Sequence, residues 1–223
     1  MKLDDLTNRR SVNYPNLPVS RQWDIVLRKL QEEKIPASLG VIGESLERED
    51  SEFQQHLKKL VASGNFSLFN HGYHNKILDR TKSGFSGPPA NLQATQVKET
   101  NRLLFERIGY IATVFGPHDS GVDEGTAEAL NSVRDIRHVW FYGEQLERYG
   151  WKGKNIPRLA ELESPIFRPS LKSITDSFER GKLSTGNATG LQGHPDMWSD
   201  KDRLEFDLIL EFLRKIECKF LLP

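Results

Sequence analysis

The 223-residue sequence contains one cysteine, Cys218, and no excess of charge of either sign. Lys and Arg number 31 and Asp and Glu number 31, so the formal net charge is zero with His neutral. A balanced charge excludes a protein that coats nucleic acid or an acidic membrane surface through bulk attraction. A single cysteine excludes an internal disulfide and a Cys-x-x-Cys metal site, so stability must come from packing and from any ion held by His and carboxylates.

Long apolar runs are also missing. No stretch of about 18 consecutive apolar residues occurs, and the opening residues 1–5 do not form an apolar leader, so we predict neither a signal peptide nor a membrane span. Together with the single cysteine, this favours a cytoplasmic protein. No linker, composition shift or internal repeat divides the chain, and we therefore predict a single domain over residues 1–223.

Helix-like and strand-like segments alternate along the chain. Apolar positions at helical spacing predict helices from Ser20 to Pro36, Ser51 to Gly64, Val97 to Gly109, Asp123 to Val133, Ser170 to Arg180 and Asp200 to Ile216. Ser20 is the predicted cap of the first helix, and Ser51-x-x-Gln54 resembles a capping box at the start of the second. Short apolar runs predict strands at the N-terminus and within residues 37–42, 66–69, 110–115, 136–142, 183–193 and 219–222. This alternation predicts an α/β fold: a distorted, incomplete (β/α) barrel of about seven mostly parallel strands.

Titratable residues follow several of the predicted strands, and a parallel barrel would bring these strand ends to one face. They are, in chain order, Asp4-Asp5, His71-Gly72-Tyr73-His74, Pro117-His118-Asp119 and His194-Pro195. One carboxylate and two imidazoles form a typical three-ligand zinc set, which leaves a position for a water whose pKa falls to about 7. A second carboxylate can accept the water proton, and a histidine can protonate the leaving group. The set is typical of a hydrolase.

Each of these groups also has a simpler interpretation. An Asp pair is often a solvated cap, two histidines three residues apart are often surface residues, and His-Pro after a glycine is often a turn. Tyr73 and Trp198 could stack on a sugar ring, although core or rim packing explains Trp198 slightly better. His56 and His138 lie away from the predicted loop ends and have no predicted role.

In the order of its motifs, the sequence resembles the polysaccharide deacetylase family, carbohydrate esterase family four. Leu3-Asp4-Asp5 is similar to the first motif of that family and Asn70-His71-Gly72-Tyr73-His74 to the second. Phe115-Gly116-Pro117-His118-Asp119 resembles the third motif, and Leu191-Gln192-Gly193-His194-Pro195 resembles the last. The resemblance extends from Asp4 to Pro223.

This resemblance implies a metal-dependent hydrolase that removes N-acetyl groups from an N-acetylated sugar, in a surface glycan or its precursor. The implied roles are Asp4 as general base, His194 as general acid, and Asp5, His71 and His74 as ligands of a divalent metal, most simply Zn²⁺. The implied substrate contacts are Tyr73, Trp198, Pro117 and His118, with the backbone N–H of His118 holding the oxyanion.

Three features depart from the family pattern. The histidines of the family are usually four residues apart, whereas His71 and His74 are three apart and the i+4 position is Asn75. The arginine that normally precedes the proline loop and orients the base is absent, with Phe115 and Gly116 in its place, so Asp4 needs another partner. Very few residues precede Asp4 to form the first strand.

Two alternatives therefore stay open. The first is a catalytically impaired carbohydrate-binding or assembly protein on the same barrel. The second is a metal hydrolase that cleaves an ester-linked acetyl group, since N- and O-acetyl hydrolysis pass through similar tetrahedral intermediates. The sequence does not predict the sugar, the oligomeric state, or the choice of zinc over cobalt, nickel, manganese or iron.

Overall fold

A computed structural model describes residues 1–74, 84–118, 121–184 and 186–223. These residues form seven strands: β1 (Lys2–Leu6), β2 (Ala37–Val41), β3 (Phe66–Asn70), β4 (Val114–Phe115), β5 (His138–Trp140), β6 (Lys154–Ile156) and β7 (Gln192–Gly193). They pair in parallel in the order β6-β5-β4-β3-β2-β1-β7. The sheet curls into a half-barrel with flanking helices, which confirms the predicted incomplete (β/α) barrel.

The helices are α1 (Arg21–Glu32), α2 (Ser51–Ala62), α3 (Ala90–Leu103), α4 (Glu124–Asn131), α5 (Gly143–Arg148), α6 (Leu171–Glu179) and α7 (Asp200–Lys215). The predicted cap at Ser20 is confirmed, because its side chain accepts a hydrogen bond from the Trp23 N–H. The predicted capping box at Ser51 is wrong, since Asp50 caps α2 instead. None of the described helices is both long and apolar enough to cross a membrane.

Two strand predictions differ from the structure. Residues 219–222 form no strand, because the partly buried Phe220 packs against the core without pairing to the sheet. Strand β6 and helix α5 were not predicted, because the prolines within residues 143–181 obscure any periodicity in the sequence. The described residues contain seven strands, as predicted, but they include β6 and lack the strand expected at residues 219–222.

The main hydrophobic core packs between β1, β2 and β3 and the helices α1, α2 and α7. Its largest fully buried side chains are Trp23, Phe53, Phe66, Trp198 and Phe206. Burying each such side chain contributes about 1.5–3 kcal/mol. A smaller cluster of Phe69, Val114 and Trp140 packs next to the site described below.

An irregularity in β1 determines where its two aspartates lie. Leu3 pairs with Leu39 and Leu6 with Val41, so three steps along β1 match two steps along β2. Asp5 takes up the extra residue in a left-handed conformation with φ 64°. Adjacent side chains of a regular strand point to opposite faces, so this bulge allows both Asp4 and Asp5 to approach the same histidine. The two aspartates thus lie inside β1 and do not follow it.

Candidate active site

Asp4 lies in the interior of the site and is only 1% exposed. Its carboxylate forms an ion pair with Lys2 and accepts a hydrogen bond from Gln192 Nε2 at 2.6 Å. His194 Nε2 lies 3.6 Å from Asp4 Oδ2. Burial favours the neutral acid, but the charges of Lys2, His71 and His194 outweigh it and lower the pKa of Asp4 to about 2. Asp4 is therefore ionised at neutral pH.

His71 follows β3 and presents one ring nitrogen to both aspartates. Its Nδ1 lies 2.6 Å from the carbonyl oxygen of Gly116, which can only accept, so Nδ1 carries the proton. The other ring nitrogen, Nε2, lies 3.5 Å from Asp5 Oδ1 and 3.9 Å from Asp4 Oδ2. A backbone carbonyl that fixes the tautomer in this way is typical of a histidine that binds a metal.

The imidazole of His194 follows β7 and is held by Glu163. Glu163 Oε2 lies 2.7 Å from His194 Nδ1, and Oε1 accepts hydrogen bonds from the His194 N–H and from Trp198 Nε1. Burial disfavours the imidazolium, but the hydrogen bond to Glu163 and the charge of Asp4 outweigh it and raise the pKa of His194. The imidazolium is stabilised, as a proton donor requires.

Three residues of this arrangement were missed by the sequence analysis: Lys2, Glu163 and Gln192. Glu163 lies in the stretch without periodicity, and 31 positions separate it from His194. A signal for Lys2 was available, because residues i and i+2 of a strand share a face and Lys2 stands two positions before Asp4. That signal requires Asp4 to lie within the strand, whereas the sequence placed it after the strand.

His74 lies apart from this cluster. It is 44% exposed, and its Nδ1 lies 2.9 Å from Glu44 Oε2. Within residues 1–74, 84–118, 121–184 and 186–223, no three His, Cys, Asp or Glu side chains are grouped so as to hold a metal ion. Asp5 and His71 carry donor atoms that fit a divalent ion and lie 3.5 Å apart, whereas His74 is directed to Glu44.

The residues predicted to contact substrate are mostly covered. Trp198 is 1% exposed, donates to Glu163 and packs on Phe206 with ring centroids 4.8 Å apart, so no face of its indole is open to a sugar. Pro117 and His118 are buried, and Tyr73 is partly buried against the core. Asp119 and Asn75, which the motifs and their spacing singled out, lie outside the described residues.

A cleft of about 170 Å³ opens beside His194. Its lining includes Arg158, Glu163, Ile166 and Gln192. Arg158 Nη1 donates to Gln192 Oε1 at 2.9 Å, and Gln192 in turn donates to Asp4. The cleft therefore reaches His194 directly, whereas Asp4 lies behind Gln192 and does not line it.

The sequence matches no family model, and no curated protein is significantly similar to it. The structure is similar to a family 4 acetyl xylan esterase from Clostridium thermocellum solved with a cobalt ion, with a TM-score of 0.61 and 15% identity over 99% of this chain and 85% of that one. It is also similar to a family 4 carbohydrate esterase from Streptomyces lividans in complex with acetate, with a TM-score of 0.57 and 12% identity over 96% and 86% of the two chains.

A third similar structure is a pseudoenzyme of carbohydrate esterase family 4 from Bacillus anthracis, with a TM-score of 0.61 and 14% identity. The match covers 98% of this chain but 62% of the pseudoenzyme. The three likenesses establish that the chain has the carbohydrate esterase family four fold. They include both active and inactive proteins, so the chemistry must be argued from the site.

Proposed function

We propose that this protein is a hydrolase that removes acetyl groups from an acetylated carbohydrate, with an N-acetylated sugar of a surface glycan or its precursor as substrate. The observation that carries the proposal is the pairing of Asp4 with His194, whose facing atoms lie 3.6 Å apart although 190 positions separate the residues. Structures of the same fold from Clostridium thermocellum and Streptomyces lividans are carbohydrate esterases, which supports this class of reaction.

In the proposed reaction, Asp4 and His194 move protons in opposite directions. Asp4 accepts a proton from water as the water oxygen bonds to the acetyl carbonyl carbon, which gives a tetrahedral intermediate. His194 then donates its Nε2 proton to the amide nitrogen as the C–N bond breaks, releasing acetate and an amine. We assign the backbone N–H of His118 to the oxyanion, where one such donor is typically worth about 10²–10³ in rate.

We further propose that Asp5 and His71 hold a divalent ion, with zinc as the first choice. His74 would complete the ligand set by exchanging Glu44 for the ion. When bound, such an ion supplies polarisation of the acetyl carbonyl and a water of lowered pKa. The support is the position of His71, whose Nδ1 contacts the carbonyl of Gly116 while Nε2 faces Asp5, and the cobalt ion of the Clostridium thermocellum esterase.

Acetate release from N-acetylglucosamine oligomers, with zinc or cobalt added, tests this proposal. Asp4→Asn and His194→Ala should reduce release, while Lys172→Met should not, because Lys172 belongs to an exposed pair with Asp176. A folded protein that releases no acetate from any N-acetylated glycan contradicts the proposed activity. Release from acetylated xylan alone would indicate ester-linked acetyl groups as the substrate.

A carbohydrate-binding protein without catalysis is the second candidate. Two observations favour it: His74 is directed to Glu44, and the Asp4 carboxylate is almost fully buried. The pseudoenzyme from Bacillus anthracis supports such a loss on the same fold. Titration calorimetry distinguishes the two functions, because a folded protein that binds a glycan but not micromolar zinc, and releases no acetate, fits only the second. In either case we propose a cytoplasmic location, supported by the single cysteine.

A further inference from the structure

Lys2 is a buried lysine beside the proposed base. It is 2% exposed, and its Nζ contacts both carboxylate oxygens of Asp4. Lysine is almost never fully buried unless it is paired, because removing an ammonium from water is costly. The contact with Asp4 therefore offsets the cost of burying the Lys2 ammonium.

The surroundings of Lys2 fix its position within the barrel. Its Nζ lies 5.1 Å from the ring centroid of Phe69 and 5.4 Å from that of Phe141, within the range of cation–π attraction. A Cβ at Gly116 would lie 3.1 Å from Lys2 Cε and 2.9 Å from the Phe69 ring. The lysine stem thus fills the space beside Gly116, where any side chain would compete with it.

Gln192 restrains the same carboxylate from another strand. Its Nε2 donates to Asp4 Oδ2, the oxygen that faces His194, and its own Oε1 is held by Arg158. Lys2 contacts both oxygens, whereas Gln192 contacts one. The two contacts together fix the plane of the carboxylate relative to His194.

We infer that Lys2 is the positioning residue for Asp4, holding the carboxylate in the orientation in which it accepts the proton of the attacking water. The inference rests on the proposed deacetylation. It also supplies the partner that Asp4 needs, since Phe115 and Gly116 before the proline loop offer no cation. Lys2 acts through Asp4 and does not itself contact the reacting atoms.

Three variants separate this role from packing. Lys2→Met keeps most of the apolar stem and removes the cation, Lys2→Arg keeps the cation, and Lys172→Met removes a lysine from an exposed Lys–Asp pair as the matched control. Misplacing a reacting group by about 1 Å costs about 100-fold in rate. We expect kcat of Lys2→Met to fall about 100-fold with KM within about threefold, and Lys2→Arg to recover about tenfold of that loss.

Crystal structures of the wild type and of Lys2→Met provide a readout that does not depend on turnover. We expect the Asp4 carboxylate to rotate away from its present plane in Lys2→Met and to keep that plane in Lys172→Met. Wild-type kcat in Lys2→Met, or an unmoved Asp4 carboxylate, overturns the inference. If Lys2→Met does not fold, Lys2→Gln replaces it, and wild-type kcat or an unmoved carboxylate there is equally decisive.

The two proposals fail in different ways. A wild-type protein that releases no acetate contradicts the proposed function, and the position of Asp4 in the variant structure then decides the claim about Lys2. An active wild type whose Lys2→Met variant keeps full kcat leaves the deacetylase in place and overturns the positioning role alone.

Discussion

Asp4 and Asp5 are adjacent in the sequence, but they belong to two differently constructed halves of the site. The inner half consists of Lys2, Asp4, Glu163 and His194, which are buried, and Gln192, which is partly buried; hydrogen bonds and close charge contacts link them. The outer half, formed by Asp5, Glu44 and His74, is more exposed: the Asp5 side chain is 28% exposed, and His74 pairs with Glu44. His71 lies between the halves, facing both aspartates.

The two halves differ in what orients their carboxylates. Lys2, two positions earlier in β1, and Gln192 from β7 fix the inner carboxylate, which leaves it little freedom. The backbone contributes to the position of Asp5, because its positive φ and the bulge in β1 turn its side chain toward His71. The inner half therefore holds Asp4 and His194 side by side, whereas the metal site proposed for the outer half would require His74 to leave Glu44.

The largest expected effect comes from Asp4→Asn. Loss of a positioned base lowers acetate release by about 10²–10⁴-fold. The change also leaves Lys2 without a counter-charge, and breaking a buried pair costs about 3–5 kcal/mol in the free energy of unfolding. Assays of turnover and urea unfolding measure both, and calorimetry should show that zinc still binds.

Asp5→Asn is the matched variant in the outer half. It should weaken zinc binding while costing less stability, since Asp5 is partly exposed whereas Asp4 forms a buried ion pair with Lys2. Equal turnover in Asp4→Asn and the wild type would show that Asp4 is not the general base. Equal losses of zinc affinity in the two variants would remove the distinction between the halves.

Glu163→Gln is expected to have a smaller effect, and one that depends on pH. The substitution removes the charge that helps to raise the pKa of His194, so His194 loses its proton at lower pH. The alkaline limb of the kcat profile should move to lower pH, with a loss of about tenfold above neutrality. A pH profile with an unchanged alkaline limb would contradict the role of His194 as acid.

The same variant affects stability with a definite sign. The pKa of His194 is raised by folding, so its charge contributes stability below the unfolded-state pKa, and this contribution is lost as pH rises through the folded-state pKa. Glu163→Gln should therefore destabilise the protein more in acid than in alkali. Thermal unfolding of wild type and variant across this range checks the difference.

Variants of His74 and Glu44 test the outer half, and their expected effects are smaller. If His74 binds the ion after leaving Glu44, His74→Ala should weaken zinc affinity about tenfold or more, and Glu44→Gln should strengthen it by removing the competing charge. Stability should change by less than about 1 kcal/mol in both, because the pair is substantially exposed. Unchanged zinc affinity in both variants would identify a surface ion pair.

The sequence could predict the parts of this site that follow from regular structure. Apolar periodicity and the Ser20 cap predict α1, and the alternation of elements predicts parallel strands whose ends meet. Because His71 and His194 follow such strands, their approach to the aspartates of β1 could be anticipated. These inferences need only local patterns and one rule of topology.

The remaining parts depend on contacts that no local pattern encodes. Glu163 reaches His194 from an irregular segment, and the bulge at Asp5 depends on how β1 aligns with β2. The buried lysine could not be assigned while Asp4 was placed after the strand. The partner of His74 is Glu44, which belongs to none of the sequence motifs.

The smallest expected effect concerns the backbone of Asp5. Its φ of 64° is a conformation that Asn adopts readily and Ala does not. Asp5→Ala should therefore be about 1 kcal/mol less stable than Asp5→Asn, although both remove the same charge. Urea unfolding of the two variants measures this difference, and Lys172→Met gives the scale of a surface change. Equal stabilities would mean that side-chain contacts, as for Asp4, and not the backbone direct Asp5 toward His71.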